Sequence, residues 1–565
     1  MSERTAGVDP ITLEVLRNAL DSVCGEMNGS LVRTAYSPNI TERRDCSCAV
    51  FDSAGTLVAQ AENMPVHLGA MPFSVEAALD AFPPSALDPG DAVLLNDPYD
   101  GGAHLPDLTL VTPVFAGGDE PVAFAANRAH HADIGGSTAG SVGATSTEIY
   151  QEGLRIPPVK LQVGGEDNRS VYAFIERNVR TPEERRGDLR AQVAANETGV
   201  ARIEDLIERY GETTFASALE AVADYSERRM RSELESMTDG SYRFADALDG
   251  DGRGAEDLTV AATVTVDGDS VTVDFSGTAA QTAGPVNAVF AVTASATYYA
   301  IRAMTDPDIP PNSGCYRPIE IQTPSGSIVD PEPPAAVVGG NLETSQRVTD
   351  VVLGALAEAV PEAAVAGCQG TMNNVTFGGT DDGEAFTFYE TEAGGFGGRT
   401  GGDGMDAVHV HMSNTLNTPA EVLETEYPLR VQRYELRPDT GGAGEFRGGL
   451  GLRRDIEVLT DATCSLLADR QRHPPYGLFG GADGATGETH LLRNDDEQRL
   501  PGKSTRDLSA GDVVSLRTPG AGGYGNPADR DRAAIERDLR LGKLTPEAAR
   551  RRYGYDPDSS DGTDE

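Results

Sequence analysis

The stretch Asn96–Gly136 concentrates the residues of this chain that could do chemistry. It reads NDPYDGGAHLPDLTLVTPVFAGGDEPVAFAANRAHHADIGG, and its two polar segments hold three of the eight histidines and four aspartates. The first segment supplies His104 and Asp107 in the pattern H-x-x-D, and the second supplies His130, His131 and Asp133. Imidazoles and carboxylates gathered from two segments suit a divalent ion such as zinc, manganese or iron. A polar turn with a few core histidines is the plainer reading of the same residues. Between the segments run the apolar stretches Leu108–Phe115 and Val122–Ala126. They read as strand, turn and strand, with the polar groups gathered at one end of a sheet.

Other candidates are scattered. Glu42 lies in a run of four charged residues just before a strand, where it either faces the His/Asp cluster or sits in a solvated turn. The Gly/Ser/Thr-rich segment after Gly136 reads as a mobile or substrate-covering loop, and Glu148 or Glu152 on it could complete a metal shell or act as a base. His67 reads as a loop or core histidine. Cys46 and Cys48 open a strand and read as core rather than as nucleophiles. In VHVHM, His409 and His411 are two apart and share one face if the segment is a strand, as ligands, substrate donors or ordinary strand histidines. Arg447, beside Gly448 and Gly449, could anchor an anionic substrate through its guanidinium fork or simply occupy a turn.

No G-x-x-x-x-G-K-[ST] occurs, so a P-loop is excluded. The G-x-G-x-x-G match at Gly520–Gly525 cannot be placed between a strand and a helix. The chain shows no ATP site of its own, and no G-x-S-x-G nucleophile elbow.

These residues need elements to position them. Asp9-Pro10 opens a helix that ends near Pro38. Cys48–Phe51 and Thr56–Ala59 flank a hairpin turn. Asp188–Met237 is helical with a break at Tyr210-Gly211, and apolar alternation on either side of Asp267-Gly268-Asp269 makes a hairpin. Asn287–Met304 and Thr344–Val360 read as helices. From Gly370 the chain changes to short strands and Gly-rich turns. The expected fold is a mixed, multidomain α+β architecture, with β-rich cores, helical segments and a Gly-rich β C-terminal region. Residues 1–185 form an α+β domain with the metal cluster, 186–368 a helical and mixed α/β region, and 369–528 the Gly-rich β region. Residues 529–565 form a helical tail with a disordered acidic end.

Composition narrows the partners. Forty-six basic residues against 89 acidic ones give a net charge of −43, and only three lysines occur. That argues against nucleic acid or anionic membranes. No apolar run is long enough to span a bilayer, and the N-terminus has no secretory h-region. Six scattered cysteines without a C-x-x-C fit a reducing cytoplasm. The acidity points to a halophilic source, where salt screens carboxylate repulsion.

Several segments together resemble the hydantoinase B / 5-oxoprolinase family. They are DPITLEVLRNAL, ERRDCSCAVFD, NDPYDGGAHLPDLTLVTPVF, RAHHADIGG, GDLRAQVAAN, NTPAEVLETEYPLRV, GGAGEFRGGLG and PPYGLFGG. The likeness runs from about Val8 to Pro527, nearly the whole chain. The family includes the B-type component of ATP-dependent N-methylhydantoinase, the C-terminal half of fused 5-oxoprolinases and the metal-bearing subunits of acetone and acetophenone carboxylases. The resemblance implies a hydantoinase A-type partner with an actin-like ATP-binding fold, and hence a hetero-oligomer. The partner would phosphorylate the substrate, and a divalent metal on this chain would activate water. By the likeness to the carboxylases, His104, Asp107 and His130 are the ligands, His131 is a lesser candidate and Asp133 orients a ligand histidine. Glu42 or Glu152 would accept the water's proton.

Three readings follow: hydrolysis of a cyclic amide such as 5-oxoproline or a hydantoin, carboxylation of a ketone, and a non-catalytic scaffold for the A-type partner. The charge itself makes a prediction. The unfolding midpoint should rise steadily as KCl increases from dilute buffer to molar concentrations, and equal stability at both ends would refute a halophilic surface.

Overall fold

The structure, a computed structural model, describes residues 8–558 apart from 62 and 495. The first helix, α1 (Pro10–Thr34), starts as its cap predicts: Asp9 Oδ1 accepts from the amides of Ile11 and Thr12, both at 3.1 Å. The seven strands of the first sheet are β1 (Cys46–Asp52), β2 (Leu57–Gln60), β3 (Ala92–Leu95), β4 (Asp107–Val114), β5 (Ala123–His130), β6 (Val159–Val163) and β7 (Glu166–Asp167). Their order is β2-β1-β5-β4-β3-β6-β7, antiparallel throughout. The strand–turn–strand expected around the His/Asp cluster is the hairpin β4–β5. Its second strand runs on to His130, which faces Asp107 across the ladder.

A single turn, α2 (Pro65–Leu68), follows β2, and two long helices follow the sheet: α3 (Pro182–Tyr210) and α4 (Glu212–Leu234). They part at Gly211, whose φ of 82° suits glycine. Helix α3 is locked to β4 and β5 by buried amides. Gln192 Nε2 donates to Leu108 O at 2.9 Å and to Asn127 Oδ1 at 2.8 Å. Asn127 Nδ2 donates to Asn196 Oδ1 at 2.7 Å, and Asn196 Nδ2 to Leu110 O at 3.0 Å. Each polar group is satisfied, so the network fixes one register of helix on sheet.

A second sheet holds Gly240–Gly250, Glu256–Asp267 and Ser270–Asp274, antiparallel, with Ile319–Gln322 added in parallel. Helix α5 (Phe290–Ala303) packs on α6 (Ser345–Leu356), and α6 in turn packs on this sheet. Two further antiparallel sheets, of four and five strands, make up the C-terminal part. The mixed α/β expectation holds. The largest apolar cluster draws residues from Met64 to Leu467, so successive stretches of chain share one core.

Two expectations change. The Gly/Ser/Thr-rich loop after Gly136, expected to be mobile or substrate-covering, is anchored in its middle: Ser141, Val142 and Ala144 are buried, and Ser465 donates to Val142 O at 3.0 Å. The C-terminal glycine runs are not only turns. They are coil packed on coil, where a Cβ at Gly522 would lie 1.8 Å from Tyr476 O and one at Gly448 2.0 Å from Ala521 O. Cross-links such as Gly522 N to Gly367 O at 2.8 Å and Ala521 N to Gly449 O at 3.0 Å hold these coils together. The G-x-G-x-x-G match is therefore packing, not a nucleotide loop. The tail forms the helices Arg532–Arg540 and Pro546–Tyr553. The acidic end expected to be disordered lies, from residue 559, outside the described residues.

Replacing Asn196 by alanine removes one of the two acceptors of the Asn127 amide, the other being Gln192 O, and the side-chain donor to the carbonyl of Leu110. It should cost about 2 kcal/mol in urea denaturation, and an unchanged midpoint would show that the network does not anchor α3.

Candidate metal centre

The site grows out of the β4–β5 register. Asp107 and His130 are directly opposed, and the amide of Asp107 closes a turn onto His104 O at 3.0 Å. Three side chains thereby converge: His130 Nδ1 lies 3.1 Å from Asp107 Oδ1, His104 Nδ1 lies 3.1 Å from Asp107 Oδ2, and His104 Nε2 lies 3.2 Å from His130 Nδ1. One ligand atom from each of the three falls within 4.8 Å of the others. His130 Nε2 is buried without a hydrogen-bond partner, and the His104 Nδ1–Asp107 Oδ2 contact is close but not aligned as a hydrogen bond. Burial tends to raise the Asp107 carboxyl, but the His104 and His67 imidazoles outweigh it and hold it well below the usual carboxylate range. Burial pushes the His104 imidazole down, against the pull of Asp107. An ionised carboxylate beside a neutral imidazole is what a divalent cation binds. The donor set fits such an ion.

The surroundings orient the three. Asn39 Nδ2 donates to His130 O at 2.6 Å, and the amide of His130 donates to Asp45 O at 3.0 Å. The His130 ring stacks on Tyr389 at 4.7 Å. Tyr389 comes from the C-terminal strand Glu384–Glu390, and Arg43 Cζ lies 4.9 Å from its ring centroid. The centre is thus closed by chain more than 250 positions away.

His67 belongs here, although it reads in sequence as an ordinary loop or core histidine. Its Nε2 is 3.3 Å from Asp107 Oδ2 and 3.8 Å from Asp45 Oδ1, and its Nδ1 is 3.3 Å from Ser47 Oγ. Only the docking of α2 beside β1 brings it in. No spacing rule links it to His104.

Other expected residues stand elsewhere. Asp133 touches none of the ligand histidines: it accepts from the amides of Gly135, Gly140 and Arg180 and pairs with the Arg180 guanidinium at 2.7 Å, pinning the following loop. His131 Nε2 turns to Gln192 Oε1 at 2.9 Å. Glu152 is buried with both oxygens on the amides of Val337 and Val338, and burial pushes its carboxyl up to about 8. Glu42 opens onto a separate small cavity with Tyr36, Glu184 and Tyr427. Neither Glu42 nor Glu152 contacts the centre among the described residues. Arg447 is spent on Asp406 and Asp538 at 3.0 and 3.2 Å, tying down the tail helix rather than offering a free fork. Cys46 and Cys48 are buried, which pushes both thiols up and keeps them protonated.

His409 and His411 do not lie on a strand; VHVHM is coil, with His411 at φ 51°. Both nevertheless line one cavity of about 410 Å³, together with Tyr298, Tyr299 and Phe396. Its wall includes Asn63, Pro65 and Gly69, which flank and begin the turn carrying His67, so cavity and centre share α2. Burial, then Arg43, pushes the His409 imidazole down to about 4. Burial disfavours charge on His411, but Cys368 and Asp350 outweigh it and raise it well above the usual value.

Comparison with known proteins supplies context. The model of the Hydantoinase B/oxoprolinase family matches residues 9–527. An uncharacterized protein of Methanocaldococcus jannaschii is 42% identical over 97% of this chain and 96% of its own length. A protein of a Pseudomonas strain, described as the B component of a D-/L-hydantoinase, is 36% identical over 97% and 95%. The 5-oxoprolinase 1 of Arabidopsis thaliana is 38% identical over 92% of this chain, which spans 42% of that protein's length. Among solved structures, the ATP-dependent caprolactamase from Pseudomonas jessenii superposes with a TM-score of 0.91 at 29% identity, covering 99% of this chain and 98% of its own. A nucleotide-free acetone carboxylase shares the fold with a TM-score of 0.89 at 19% identity, over 97% and 79%.

Purified protein should carry one divalent metal per chain by plasma mass spectrometry. Asp107→Asn and His104→Ala should lose it, and His67→Ala should keep it with affinity lowered about 10- to 100-fold. Metal retained in Asp107→Asn would disprove the centre.

Proposed function

The chain belongs to the hydantoinase B/oxoprolinase family, and from that membership we propose that it opens a cyclic amide ring, as the B-type component of an ATP-dependent enzyme. The observation that carries this reading is the His104–Asp107–His130 cluster beside a cavity, in a fold shared end to end with an ATP-dependent caprolactamase. The chain has no phosphate loop, so ATP chemistry falls to an A-type partner.

A divalent ion at the cluster would supply Lewis acidity for water attack on the activated ring. This chain's own residues do the rest. Asp107 bridges the two histidines and fixes their ring planes. Tyr389 covers the outer face of His130 and keeps bulk water away. Asp45, with Oδ1 buried and unpartnered 3.8 Å from His67 Nε2, is the carboxylate placed to receive a proton, in the role expected of Glu42 or Glu152. His409, kept neutral by burial, lines the cavity with its Nδ1 2.7 Å from Ser413 Oγ, and can contact a bound ring amide.

The shared acetone carboxylase fold gives the carboxylase reading one specific support, and the same assay separates the two. The chain and its A-type partner are combined with ATP and 5-oxoproline, a hydantoin, caprolactam, or acetone with bicarbonate. ATP-dependent ring opening is expected only with both proteins, falling at least about a hundredfold in His104→Ala. Carboxylation of the ketone instead would replace the hydrolase reading. Full turnover by metal-free His104→Ala would leave only the scaffold reading.

A further inference from the structure

The cavity beside the metal centre has one permanently charged residue on its wall, Arg302, and no aspartate or glutamate. Arg302 lies on the last turn of α5, three and four positions after Tyr299 and Tyr298, so all three share one side of the helix. Tyr298 stacks on Tyr316 at 4.2 Å, and the two rings form an aromatic wall. One guanidinium nitrogen of Arg302 donates to Ile309 O at 2.9 Å, and its Nε is buried without a partner. Arg302 makes no ion pair among the described residues. Buried Arg128, which bonds only Thr109 and Ser74, is likewise without an ion pair, whereas most other interior arginines are paired. The interior arginines Arg347, Arg454 and Arg470 all hold carboxylates, and the chain has 89 acidic residues to draw on. A half-buried guanidinium with donors to spare, facing a cavity kept free of carboxylates, is a site for an oxyanion.

We propose that Arg302 is the specificity-determining residue of this cavity and receives an oxyanion group of the ligand. The group is either a carboxylate borne by the ring or a phosphoryl group added to it. The inference rests on the cyclic-amide reading for its choice of ring, but it concerns binding by this chain alone. A cavity of about 410 Å³ accommodates a small ring with such a substituent. Aromatic walls hold the ring, and Arg302 sets which ring is held.

The test is equilibrium binding to the isolated chain, without ATP or the A-type partner. The ligands are 5-oxoproline, 2-pyrrolidinone (the same lactam ring without its carboxylate) and inorganic phosphate, measured by calorimetry. Two variants are compared with the wild type. Arg302→Gln removes the charge. Gln60→Glu adds a carboxylate to the same wall, on a residue that, like Arg302, neighbours the Tyr316 phenol. The wild type should bind 5-oxoproline about tenfold more tightly than 2-pyrrolidinone. Both variants should abolish that preference while leaving 2-pyrrolidinone affinity within about twofold. Phosphate binding that competes with neutral lactam less than with 5-oxoproline, and that both variants lose, would assign the site to a phosphoryl group. Preference for 5-oxoproline that survives both variants, or no binding of any ligand by the wild type, overturns the proposal. Because no turnover is involved, a failed ring-opening assay does not by itself affect this result.

Discussion

The site depends on the register of a single antiparallel hairpin. Asp107 and His130 are opposite each other across β4 and β5, and a slip of one residue would turn His130 to the other face of the sheet. The turn at His104 is then fixed by its bond to the amide of Asp107. The amides of Gln192, Asn127 and Asn196 matter for the same reason. They bind α3 to the carbonyls of β4 at Leu108 and Leu110, the positions that follow Asp107 on the strand. A register held at two points by a buried network cannot drift, so three ligand atoms from two segments stay within reach of one ion.

Charge is the second constraint. On a surface with this excess of acid, carboxylates are abundant and repel one another, but several inside the molecule are paired with cations. Asp107 is surrounded by imidazoles, Asp350 lies between His411 and Arg470, and Asp469 between Arg347 and Lys503. Where a buried carboxyl has no cation, as at Glu152, burial favours its neutral form instead. The metal centre is the place where carboxylate and imidazoles meet without satisfying all of one another's atoms.

Much of this was legible in the residues, for reasons that can be named. Helix starts were marked by Asp9-Pro10 and the helix break by Gly211, because capping and backbone conformation are local. The hairpin around Asp267–Ser270 and the strands of β4–β5 were marked by alternation and turn residues. His104, Asp107 and His130 carried a spacing that a family likeness could order. What escaped was set by packing between distant segments. His67 joins the centre because α2 docks beside β1, and Tyr389 because a strand more than 250 positions later lies over His130. His409 and His411 share a cavity wall without sharing a strand. Arg447 looked free because Asp406 and Asp538 lie far from it in sequence.

The glycine-rich coils have a consequence for how this protein presents itself in solution. Secondary structure assigns them almost nothing, and a circular dichroism spectrum would count them as irregular. Their backbones, however, approach so closely that no side chain fits between them, and their amides are bonded from segment to segment. They form a lattice of main chain in which cohesion comes from peptide groups rather than side chains. Hydrogen exchange would register this region as among the slowest in the molecule, and its tolerance of sequence change would be that of a core, although it looks like loop.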